Sequence, residues 1–186
     1  MKKVSLLVLL SGILMVNLAS AQCGSHAKKT SNTQSWNSSH DDIVDIAASD
    51  DNFSTLVTAV KAANLVSTLK SEGPFTVFAP NNIAFEKLPE GTVSSLLEES
   101  GKSTLTSILT YHVVPARISA ETLVNSIAAA GGSFEMKTVN GGILTAKIMN
   151  GLPVLIDQKK NKSFITKTDL GGSNGVIHVI DQVVMP

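Results

Sequence analysis

Residues 74–85 read Pro-Phe-Thr-Val-Phe-Ala-Pro-Asn-Asn-Ile-Ala-Phe, and the fold is decided there. Phe75, Val77, Phe78 and Ala79 form a short, nearly continuous apolar run, which suits a strand covered on both faces; periodicity alone would also allow a buried helical segment. Pro80 ends the run, because proline has no N–H for the next ladder bond. Asn81 or Asn82 is then placed to cap a short helix carrying Ala84, Phe85 and Leu88, which Pro89 stops. A second stretch is the counterpart of the first: Asn174-Gly175-Val176-Ile177-His178-Val179-Ile180-Asp181-Gln182-Val183-Val184-Met185-Pro186. Its Asn-Gly opens a turn and its β-branched run predicts a central strand, over Val176–Met185, that pairs with the strand at Phe75.

With Tyr111-His112-Val113-Val114-Pro115 between them, these blocks make the chain resemble the fasciclin-like domain family over roughly residues 40–186. The resemblance implies a β-wedge of about seven strands with several short helices packed around it. It also implies adhesion or surface attachment outside the cell, through protein or carbohydrate partners, without cofactor or metal. Tyr111-His112 matches the family's tyrosine–histidine pair, a region tied to receptor binding in some animal members, so these two are the partner-binding candidates. Asn174-Gly175, His178 and Ile180-Asp181 match the family's last motif; with Asn81 they are the structural-motif candidates.

Working outward to the start of the chain, Lys2 and Lys3 precede an apolar run from Val4 to Leu18 and then Ala19-Ser20-Ala21. A basic start, a short apolar core and a small-x-small site predict a secretory signal peptide over residues 1–21. The run is short for a membrane span and is broken by Ser11, Gly12 and Asn17, so no transmembrane segment is expected. Residues 22–38 are rich in Ser, Thr, Asn, Gln and Lys and form an expected polar tether, leaving 39–186 as one domain. Cys23 is the lone cysteine, so no intramolecular disulfide exists. A lipid anchor, a free thiol and an intermolecular disulfide all stay open for it, although Gln22 fits a lipidation signal badly. Loss of Lys2 and Lys3 with the leader leaves 13 basic against 15 acidic side chains. That balance lacks the basic footprint that nucleic acid requires. Lys159, Lys160 and Lys162 cluster only at an expected hairpin tip.

The interior of the domain changes character midway. Ser39 and Asp42 ahead of Ile43-Val44 predict a capped helix to about Ala48. Phe53, Leu56, Val57 and Val60 follow at i, i+3, i+4, i+7, a clear amphipathic pattern, and a second short helix carries Leu65, Val66 and Leu69. Thr92 is placed to cap a helix with Val93, Leu96 and Leu97. Leu105, Ile108, Leu109 and His112 repeat the helical spacing, which turns His112 toward the core. Ser119 is placed to cap a helix with Leu123, Val124 and Ile127. From Phe134 onward the runs are strand-like, at 134–139, 143–148, 154–156 and 163–168, and three Asn-Gly pairs mark hairpins. Helices first and a strand meander afterwards predict an α+β fold.

Catalytic signatures are missing. The chain has no Gly-x-Ser-x-Gly elbow, no His-Glu-x-x-His and no Walker loop, and its one cysteine lies on the tether. His112, His178 and Asp181 could form an acid–base or metal cluster only if the fold brought them together, and strand alternation puts His178 and Asp181 on opposite faces. The plainer expectation is that Tyr111, His112, His178 and Asp181 satisfy internal hydrogen bonds. The sequence thus supports a non-catalytic exported adhesion module. Its alternative is a periplasmic or surface carrier of a small ligand, which would need an enclosed apolar pocket.

Overall fold

The computed structural model describes residues 41–89 and 91–186. The expected leader, the tether, Cys23 and the Ser39 cap lie outside these residues. Within them, seven strands form one sheet in the order β2-β1-β7-β6-β5-β4-β3. In chain order these are β1 (Phe75–Pro80), β2 (Val113–Val114), β3 (Ser133–Lys137), β4 (Ile143–Met149), β5 (Leu152–Ile156), β6 (Lys162–Gly171) and β7 (Gly175–Ile180). The helices are α1 (Ile43–Ser49), α2 (Ser54–Ala62), α3 (Val66–Leu69), α4 (Asn82–Glu86), α5 (Thr92–Leu97), α6 (Lys102–Tyr111) and α7 (Ala120–Ala129). The fold is therefore α+β, with helices dominating the first half and an antiparallel meander the second.

β1 and β7 are the centre of the assembly. They run parallel over six residues, from Phe75 beside Gly175 to Pro80 beside Ile180. β7 is buried along its whole length, as expected of a strand covered on both faces. Its alternate side chains feed two different cores. Ile177 and Val179 join Ile43, Phe53, Leu56 and Val60 beneath α1 and α2. Ile180 joins Phe78, Tyr111, Leu123, Leu144 and Leu155 on the other side. A smaller cluster seats Ala84 and Ile108 against Val183.

Local chemistry explains most boundaries. Asp42 caps α1 by accepting from the Val44 and Asp45 N–H groups at 2.8 and 3.0 Å. Of the two asparagines after β1, Asn81 is the cap of α4, accepting from the Ala84 N–H at 2.8 Å. Asn82 instead clamps α2, accepting from the Thr55 N–H and donating to the Asp51 carbonyl. α5 begins differently from the expectation: Gly91 occupies the cap with φ +81°, no side chain caps the helix, and Thr92 is its first residue. Val124, expected on the buried stripe of α7, is exposed while Leu123 and Ile127 are buried.

The three Asn-Gly pairs behave in two ways. Asn150 and Gly151 both adopt positive φ, 53° and 78°, between β4 and β5, as a two-residue hairpin of primed type requires. Asn140-Gly141 lies in the loop 138–142 that closes β3 onto β4, which the Thr138 N–H to Gly142 carbonyl bond narrows, with Gly141 at φ 91°. Asn174-Gly175 does not form the turn itself. Gly172 and Gly175 bond each other's backbone, so Ser173 and Asn174 are the central pair and Gly175 already belongs to β7. A side chain on Gly175 would collide with the Phe75 carbonyl of β1.

The last strand is shorter than its apolar run suggested. β7 stops at Ile180, yet Val183 and Val184 are buried. Side chains rather than a ladder hold them: the Val184 N–H donates to His112 Nε2 and the Met185 N–H to the Asp157 carboxylate.

Candidate functional site

α6 delivers Tyr111 and His112 to the interior because its apolar spacing continues to its last turn. Tyr111 is 0% and His112 2% exposed. The Tyr111 hydroxyl donates to the Ile143 carbonyl at 2.7 Å, joining α6 to β4, and burial pushes the phenol pKa up. His112 is the C-cap of α6, and its Nδ1 lies 2.8 Å from the Ile108 carbonyl. With Nε2 accepting from the Val184 N–H at 3.3 Å, the ring is the neutral Nδ1–H tautomer. Burial depresses its pKa from 6.5 to about 4, against the opposing Ile108 bond. Both partner-binding candidates are therefore buried core groups in the folded domain.

His178 is also fully buried. Opposite it on β1 lies Phe78, and the two rings stack with centroids 5.7 Å apart. Its Nε2 faces the Ile118 carbonyl at 2.8 Å, and its Nδ1 accepts from the Asp169 N–H at 3.3 Å. Burial lowers its pKa too. Asp181 lies just past β7 and is half-exposed. It accepts from the Phe164 N–H at 2.8 Å and pairs with Lys87 at 3.3 Å. Among the described residues no group of three or more His, Cys, Asp or Glu is placed to hold a metal. His112, His178 and Asp181 are thus three separate braces, not one cluster.

Asn174 is a junction. Its Oδ1 accepts from the Ile43 N–H at 3.1 Å, and its amide donates to the Leu69 and Ser71 carbonyls at 2.7 and 3.1 Å. One side chain thereby holds the start of α1 and the end of α3 to the β6–β7 turn.

Asp157 and Thr76 are among the internal polar residues that escaped the sequence reading. Asp157, 3% exposed, accepts from the Asn161 backbone and side chain and from the Met185 N–H. Thr76, in the middle of β1, donates to the Ala116 carbonyl and accepts from the Ile118 N–H. An aspartate beside a turn signal and a threonine in a strand are ordinary sequence features, and their partners are remote in the chain.

The sequence reading also missed a cavity of about 210 Å³ between α1, α2, α3 and the sheet. Its floor is Val77, Ala79, Ile177 and Leu109, its walls include Val44, Val57 and Leu69, and His112 closes one side. Among the described residues, the charged ones lining it are Asp45, Lys61 and Lys70. Lys70 is engaged with Asp42 and Asp45 at 2.9 and 2.6 Å.

The fasciclin domain family matches residues 51–186. Protein sll1483 of Synechocystis sp. is 46% identical over 172 residues, covering 92% of this chain and 88% of its own. Immunogenic protein MPB70 of Mycobacterium bovis is 35% identical over 78% of this chain and 69% of its own. Transforming growth factor-beta-induced protein ig-h3 of Sus scrofa is 35% identical over 77% of this chain, which spans only 19% of that protein. Among solved structures, the FAS1 domain pair of the insect cell adhesion molecule fasciclin I superposes with a TM-score of 0.54 at 18% identity, over 70% of this chain and 45% of that one. No helix among the described residues is long and apolar enough to cross a membrane.

Proposed function

The chain belongs to the fasciclin domain family, and on that premise we propose that it is an exported, non-catalytic adhesion module that attaches cells or matrix through extracellular protein or glycan partners. The observation that carries the reading is the use made of its motif residues. Tyr111, His112 and His178 are buried and bonded internally, which supports recognition by the outer surface of the domain. The adhesion role of fasciclin I, whose domain pair shares the fold, supports the same reading. Fold alone would not carry it, because one fold hosts many functions.

Producing cells that lack the protein, compared with their parent for attachment and aggregation, test the proposal. Attachment should fall and should return when purified mature protein is added back. Unchanged attachment in the deletion strain would sink the reading. Export is tested separately by intact mass of the released protein, which should begin at Gln22. A start at Cys23 with added acyl mass would replace the tethered secreted form by a lipid-anchored one.

A further inference from the structure

We propose that the cavity under α1, α2 and α3 binds a small amphipathic carboxylate, with its apolar body between Val44, Val57, Val77 and Ile177 and its head at Lys61. Three observations carry this. At about 210 Å³ the space exceeds the ~150 Å³ apolar cavity size known to take up benzene and to stay dry otherwise. Protein interiors rarely leave such a void, since its lining forfeits dispersion contacts that a fitting molecule restores. The cavity is also reachable: Val44, Val57, Leu69 and Val77 are only half-buried, whereas Phe78 and His112 at its end are closed off.

The head-group chemistry follows from the three charged residues at the lining. Lys70 is already shared between Asp42 and Asp45. Lys61 stands in the last turn of α2, is exposed, and makes no ion pair among the described residues. An ammonium beside an apolar opening selects an anionic head over a neutral or cationic one. A ring or a chain of about eight carbons matches a space of this size. The proposal goes beyond the adhesion reading and does not depend on it.

Octanoate and 1-octanol are the probes, titrated calorimetrically into the mature protein. Octanoate should bind saturably at one site. Lys61→Glu should weaken octanoate roughly five- to tenfold while leaving 1-octanol within about twofold. Val77→Phe, which fills the floor, should abolish binding of both; Val44→Phe on α1 replaces it if that variant does not fold. No saturable octanoate binding by the wild type overturns the proposal, and so does undiminished binding by a folded filled variant.

Discussion

His112 ties the end of α6 to the chain's last residues through its two ring nitrogens, one donating and one accepting. Removing the ring orphans the Val184 N–H and enlarges the neighbouring cavity, so His112→Ala should cost about 1–3 kcal/mol. A lowered urea midpoint checks this, and any loss of attachment should follow the fraction unfolded; wild-type stability with attachment lost would make His112 a contact residue. The same ring sets a pH dependence. In the unfolded chain it protonates near pH 6.5, but inside the fold only near 4. Between those values the unfolded state binds more protons, so stability is full above about pH 6.5 and falls as pH drops toward 4, by up to about 1.4 kcal/mol per unit. His178, shifted in the same direction, adds to the slope. Urea midpoints measured from pH 7.5 to 4.5 should fall for the wild type and fall less steeply for His112→Ala. A flat wild-type profile would contradict the buried neutral tautomer.

At the scale of elements, the helices and strands are held to each other by side chains from turns. Asn174→Ala removes three bonds that join α1 and α3 to the β6–β7 turn, and about 1–3 kcal/mol of stability should go with them. Hydrogen exchange should quicken first in α1 and α3; uniform quickening across the sheet would argue against a local junction. What the sequence made legible follows the same division. Local signals were sufficient for an asparagine cap on α4, though not for choosing Asn81 over Asn82, for the α6 stripe that buries His112, and for the Asn150-Gly151 hairpin. Where the deciding partner is distant in the chain they fell short. Asn174 looked like half of a turn pair because nothing nearby shows that Ile43, 131 residues away, needs its oxygen. The Val183-Val184 run looked like more strand because burial without ladder pairing has no local pattern, and the cavity is a mismatch of surfaces that no periodicity encodes.

Across the whole molecule, β7 has β1 on one side and β6 on the other. Ending the chain at Asn174 should therefore leave no folded product, whereas deleting residues 22–38 should barely move the urea midpoint. A cooperative transition from the shorter chain would refute the central pairing. That pairing also has a consequence in time. Phe75 waits for Gly175, one hundred positions further along, and a ribosome adding about 5–20 residues per second needs roughly 5–20 s to supply it. Until then β1 has only the two-residue β2 to pair with. The domain cannot close while its second half is still being made, so the nascent chain remains open until synthesis of the sheet is nearly done.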